Sequence, residues 1–262
     1  MIKLIASDID GTLVADGTDR LNPEIFQVIL KLKEKGVQFA AASGRQWVSI
    51  ERLFEPVKER IFYLSDNGAY VGCHGRNLFL NTIERELAME MIEDIRKEPD
   101  LEVMLSGPDV VYMDTKDQEF VKWMKEGYKF QVKMVEDVSK VEDRFIKVSA
   151  YKKHGVQEAT EGIRRKYKDR LKVTISGDMW LDCMAMGVSK GQAIEVLQKG
   201  LGIKPEETMA FGDQLNDMEM LERAYYSFAM GNARPEIKAA ARFQADTNRN
   251  DGVLKVMKML LS

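Results

Sequence analysis

Two aspartates one residue apart, Asp8 and Asp10, stand at the end of the apolar run "LIAS". Residues i and i+2 of an extended chain share a face, so two like charges are held close together and need a positive partner. Three other stretches carry side chains suited to such a site. Ser43-Gly44-Arg45 follows the apolar run 37–42 and opens a helical pattern; free backbone N–H groups, a hydroxyl and a glycine there make an anion cradle. Lys190 lies in "GVSKGQAI", in the first turn of a predicted helix, where the dipole favours acids over a cation. Asp213 and Asp217, with Asn216 between them, follow the apolar strand 209–211, and hard oxygen ligands of this kind suit Mg²⁺.

Each feature taken singly has an ordinary explanation. Aspartates are common in turns, a serine before a helix caps it, and most single lysines are solvated. The chain also contains its own control, because Asp16-Gly17-Thr18 repeats Asp10-Gly11-Thr12 without a strand before it or a second aspartate beside it. The tripeptide therefore reads as an incidental turn, and the strand end with its paired carboxylates as the site. Together, four carboxylates, a serine, a lysine and N–H-rich turns match phosphoryl transfer to an aspartate. Asp8 is then the nucleophile attacking phosphorus, with Mg²⁺ bridging it to the phosphate. Asp10 is the general acid for the leaving oxygen and then the base for water. Ser43 and its neighbouring amides hold phosphate oxygens, and Lys190 stabilises the transferring charge.

These residues need elements to bring them together. Strands are predicted over 2–6, 37–42 and 61–64, with an amphipathic helix opened by Asn22-Pro23 and closed by Gly36. Short buried strands alternating with helices imply a parallel sheet covered on both faces, which binds ligands at the carboxyl ends of its strands. After Asn67-Gly68 the rhythm changes to a hairpin over 71–80, a helix over 84–97, and two runs, 103–106 and 110–113, split by Gly107-Pro108. A mixed pattern continues to residue 184 and includes a helix over 156–167. From 188 the strand–helix alternation resumes, with helices over 190–198, 216–221 and 252–261 and strands over 209–211 and 226–230. The simplest organisation is an α/β core built from 1–80 and 188–262, with a second α/β module, 81–187, inserted.

Bulk properties narrow the partners. A chain of 262 residues buries a sizeable core without disulfides. Cys73 and Cys183 form no CxxC, which fits a reducing, cytoplasmic setting. A net charge of -3 gives no basic surplus for nucleic acid. No apolar run approaches the roughly 20 residues of a membrane helix, and the apolar start reaches Asp8 too soon for a secretory signal. Sixteen scattered methionines read as adaptable core filler.

"SDIDGTL", "AASGR", "VSKGQAI" and "FGDQLNDMEML", in that order, resemble the four motifs of the haloacid dehalogenase superfamily. The match is closest to its Cof-type phosphatases, which carry a large inserted α/β cap, and it covers essentially the whole chain. The resemblance implies a Rossmann-like core and a cap that closes over the active site and chooses the substrate. It implies Asp8 as nucleophile and Mg²⁺ ligand, and Asp10 as acid/base lending its backbone carbonyl to the metal. Asp213 resembles the other direct ligand, while Asp217 corresponds to a residue that holds a metal-bound water or steadies the site from behind. Ser43, Lys190 and Asn216 correspond to phosphate contacts, and Gly44 to a backbone contact. Serine at 43, where many relatives have threonine, keeps the hydroxyl. Arg45 suits a second anionic group of a substrate or a pairing carboxylate equally. "SDNGA", residues 65–69, resembles the segment before the cap, so Asn67 either faces the cleft or makes a plain turn.

The expected activity is hydrolysis of a small phosphorylated metabolite, such as a sugar phosphate, by a monomer or weak homo-oligomer. A phosphomutase of the same superfamily shares the motifs. A receiver-type signalling domain is about half this length and has its acidic pair adjacent, whereas Ile9 separates the pair here. A sugar-phosphate binder without catalysis needs no acid/base beside Asp8.

Overall fold

The five residues Leu4–Asp8 are buried along their whole length, as an apolar strand covered by helices on both faces must be. They form β1 in a computed structural model that describes residues 1–14, 20–176 and 178–261. Asp16-Gly17-Thr18, the sequence control, lies outside the described residues. β1 is followed by β2 (Gln38–Ala42), β3 (Phe62–Ser65), β4 (Tyr70–Cys73) and β5 (Arg76–Leu80). Next come β6 (Glu102–Ser106), β7 (Val111–Met113), β8 (Val132–Met134), β9 (Lys147–Tyr151), β10 (Leu171–Ser176) and β11 (Trp180–Ala185). The chain finishes with β12 (Thr208–Gly212), β13 (Tyr226–Ala229) and β14 (Phe243–Gln244).

Two compact units result, Met1–Phe79 with Ser189–Ser262, and Leu80–Val188. In the first, the strand order is β14-β13-β12-β1-β2-β3-β4-β5. Strands β1, β2, β3, β12, β13 and β14 run parallel, and β4 turns back antiparallel on β3. β1 lies between β2 and β12, with Asp8 level with Ala42 and Ser7 level with Phe211. Strand order thus reverses direction at β1, and the chain leaves β1, β2 and β12 at one edge of the sheet, where open α/β sheets form their ligand crevice. The helix Glu24–Glu34 shows why the layers hold: Ile25, Val28, Ile29 and Leu32 recur at helical spacing and are all buried. Asn22 still caps this helix, its Oδ1 accepting the Glu24 N–H at 3.0 Å.

The second unit is a six-stranded sheet, β10-β11-β9-β6-β7-β8, antiparallel except where β7 meets β8. Alternate residues of β6 face opposite ways. Val103 and Leu105 join Ala88, Met91, Ile92 and Ile95 of the helix Arg85–Lys97 in one cluster, whereas Met104 joins Phe120, Val121 and Met124 of the helix Gln118–Glu126 in another. Trp123, Tyr128 and Trp180 belong to the latter packing: Tyr128 lies 5.1 Å from Trp123 between ring centres and accepts the Trp180 indole N–H at 3.3 Å. They serve as core.

Two local expectations are corrected, and three short elements are added. The helix over 156–167 is two, Val156–Ala159 and Glu161–Tyr167. Thr160 breaks it, its hydroxyl donating back to the Val156 carbonyl at 2.7 Å. The helix from 216 starts as a tight 3₁₀ turn, Leu215–Asp217, before Met218–Glu222, because the Asp217 carboxylate takes the Asp213 and Gln214 N–H groups. β8, β14 and the helix Pro235–Ala240 are too short to carry a periodic signal.

Candidate active site

Asp8 is the last residue of β1 and is 5% exposed. Lys190, the first residue of the helix Lys190–Leu201, is 1% exposed and reaches the same point. Its Nζ donates to Asp8 Oδ1 at 2.5 Å and to Asp217 Oδ1 at 2.6 Å. This explains a cation in a first helical turn: two buried carboxylates outweigh the unfavourable dipole. Burial alone would push the Lys190 pKa down, but Asp217 and Asp8 raise it above the ordinary lysine value, so the ammonium stays charged.

Asp217 is held from behind. Its other oxygen accepts the backbone N–H groups of Asp213 and Gln214 at 2.9 and 3.0 Å. Asp213, at the exit of β12, accepts the Thr12 hydroxyl at 2.7 Å on Oδ1 and the Gln214 amide at 3.1 Å on Oδ2. Gly11, at φ +83°, leaves no room for a side chain because Asp213 occupies that space. The Gly-Thr of the first Asp-Gly-Thr is therefore fitted to Asp213. The reading of that tripeptide as incidental is corrected: Thr12 belongs to the site, and the signal for it was its place directly after the strand.

Asp8, Asp213 and Asp217 each bring a carboxylate oxygen within 4.8 Å of the others. Three carboxyl groups thus gather around the single Lys190 ammonium in a buried place. Asp8 Oδ2 is buried and has no hydrogen-bond partner among the described residues. Burial, then Asp217, raises the Asp8 pKa well above the usual carboxylate range against the opposing pull of Lys190. An orphaned oxygen and an all-oxygen donor set of three carboxyl groups fit a hard divalent cation such as Mg²⁺.

Asp10 takes a different partner. β1 ends at Asp8, and a turn over residues 11–13 follows, so the shared-face argument of a strand does not extend to Asp10. The Arg45 guanidinium grips both Asp10 oxygens, Nε to Oδ2 at 2.9 Å and Nη2 to Oδ1 at 2.6 Å. Of the two sequence alternatives for Arg45, the carboxylate partner is the one seen. Ser43 Oγ accepts the Arg45 N–H at 3.1 Å and lies 3.5 Å from Asp10 Oδ2. Asn216 donates from Nδ2 to Asn67 Oδ1 at 3.0 Å, and Asn67 lies beside Gly44. Asp8, Lys190, Asp213 and Asp217 thus form one hydrogen-bonded or near-contact group. Asp10 with Ser43 and Arg45, and Asn216 with Asn67, form two others.

Comparison with known proteins identifies the family. The haloacid dehalogenase-like hydrolase family matches residues 5–257. The 5-amino-6-(5-phospho-D-ribitylamino)uracil phosphatase YbjI of Escherichia coli is 29% identical over 261 residues, 99% of this chain and 96% of that protein. The phosphatase YcsE of Bacillus subtilis, which bears the same enzyme name, is also 29% identical, over 98% of this chain and 95% of its own. A crystal structure from Eubacterium rectale, 33% identical, covers 99% of each chain with a TM-score of 0.94. With its parallel-sheet core, its second α/β unit and its phosphatase relatives, the chain belongs to the haloacid dehalogenase-like hydrolases and is a phosphoric monoester hydrolase.

Proposed function

We propose that this chain is a Mg²⁺-dependent phosphatase that hydrolyses a small phosphomonoester through an acyl phosphate on the Asp8 carboxyl. The observation that carries the reading is the buried, unpartnered Asp8 Oδ2 beside Lys190, Asp213 and Asp217. Asp8, Asp213 and the backbone carbonyl of Asp10 would hold the metal, with Asp217 steadying Asp213, Gln214 and Lys190. When bound, Mg²⁺ supplies charge neutralisation at the transferring phosphoryl group.

The chain's own residues account for the remaining steps. Asp8 attacks phosphorus, and Lys190, already 2.5 Å from Asp8 Oδ1, offsets charge on both nucleophile and phosphate oxygens. The Ser43 hydroxyl, the Gly44 N–H and the Asn216 amide orient the phosphate. Asp10 delivers a proton to the leaving oxygen and later takes one from water. Because Arg45 grips both Asp10 oxygens, delivery requires that pair to part, and a substrate oxygen competing for Arg45 does this.

The names of two relatives support a substrate with a phosphorylated polyol or sugar portion. The test is p-nitrophenyl phosphate turnover with and without Mg²⁺. Asp8→Asn is expected to lower kcat by about a thousandfold or more; full activity in that variant would overturn the mechanism. A panel pairing hexose phosphates with 5-amino-6-(5-phospho-D-ribitylamino)uracil then ranks substrates by kcat/KM.

A further inference from the structure

Asn67 sits on a turn that few residue types can build. Asp66, Asn67 and Gly68 hold φ at 47°, 55° and 97°, three left-handed residues in succession. Among L-residues only Asn and Asp enter that region with any ease, and the strain persists where surrounding contacts impose it. Those contacts come from three sides. The Asp66 N–H donates to the Arg45 carbonyl and the Asn67 N–H to the Ser43 carbonyl, each at 3.0 Å. A side chain at 68 would run into the carbonyl of Ser189, the residue before Lys190. Asn67 Oδ1 accepts the Asn216 amide N–H at 3.0 Å. A Cβ at 44 would come within 3.3 Å of both the amide oxygen and nitrogen of Asn67. The turn therefore touches each of the three segments that carry anion donors.

An asparagine amide presents either an acceptor or two donors, depending on which way it faces. With one Asn216 N–H committed to Asn67 Oδ1, the reversed amide would set oxygen against oxygen. The second N–H on the same nitrogen is left to donate to another acceptor. We propose that Asn67 is a positioning residue for phosphate binding: it fixes the donor orientation of Asn216 and the placement of the 43–45 loop without touching the reacting atoms. This rests on the phosphatase reading, in which Asn216 contacts phosphate.

Asn67→Gly separates side chain from backbone, because glycine accepts the left-handed conformation and removes only the side-chain amide. Inorganic phosphate affinity by calorimetry in Mg²⁺, and kcat and KM for p-nitrophenyl phosphate, are measured in wild type, Asn67→Gly, Asn216→Ala and the double variant. Asn67→Gly should weaken phosphate binding and raise KM by about tenfold, the scale of one hydrogen bond serving an anion, with kcat changed less than about twofold. In the Asn216→Ala background the same substitution should cost less than about twofold, the signature of two residues acting as one unit. An undiminished cost in that background, or no cost in the wild-type background, overturns the proposal. If the wild type binds phosphate and hydrolyses the ester while Asn67→Gly matches it, this proposal alone falls. A wild type that does neither overturns the phosphatase reading as well.

Discussion

At Asp8, burial and the neighbouring Asp217 and Asp213 disfavour the ionised carboxylate, and Lys190 opposes them. A group whose pKa is raised on folding stabilises the protein most below its unfolded value, and that contribution is lost as pH rises through the folded value. The metal-free protein should therefore lose stability as pH rises above the ordinary carboxylate range. Asp8→Asn, which removes a carboxyl whose ionised form the site disfavours, should be more stable than wild type without divalent cations at neutral pH, by about 1–3 kcal/mol. The gap should close in acid and reverse in sign once Mg²⁺ is added, since the cation binds the folded wild type more tightly. Denaturant unfolding with chelator or Mg²⁺ at several pH values measures all three. Residue types and strand ends pointed to Asp8, Lys190, Asp213 and Asp217 because opposed charges and oxygen ligands have a readable chemistry. The Thr12–Asp213 bond spans 201 residues, and nothing local in either residue announces the other.

Elements were legible where burial imposes a period. The run Leu4–Asp8 and the helix Glu24–Glu34 read directly as a covered strand and an amphipathic helix. Short edge pieces such as Val132–Met134 and Phe243–Gln244 carry no such pattern. Ion pairs between helices were equally invisible. In the second unit Glu90, on the helix Arg85–Lys97, pairs with Arg170 and Lys166, which lower its pKa to about 2. Burial opposes the charge on nearby Asp94, but hydrogen bonds from Lys166, Lys97 and Tyr167 outweigh it and hold the carboxyl well below its usual range. Stability from such groups is present above the ordinary carboxylate value and lost as pH falls toward 2. Glu90→Gln should therefore lower the denaturant midpoint at pH 6, leave it unchanged near pH 2, and lose its effect at high salt because the pair is exposed.

At the scale of the molecule, both ends of the chain build one sheet, and β1 receives its neighbours from each end. The expectation of a core drawn from both ends rests on the change of rhythm after Asn67-Gly68 and its return near 188. The substrate was not readable, because selectivity comes from contacts that composition and periodicity do not encode. Among the described residues no helix is long and apolar enough to cross a membrane. The central claim is that Asp8 itself carries the phosphoryl group, and hydride trapping tests it most directly. Turnover of p-nitrophenyl phosphate in Mg²⁺ is quenched with borohydride, which reduces an acyl phosphate of aspartate to homoserine, and peptide mass spectrometry locates the change. Homoserine at residue 8 of the wild type, and none in Asp8→Asn, is the expected result. Sustained turnover with residue 8 unmodified, or with the change at another carboxylate, would contradict it.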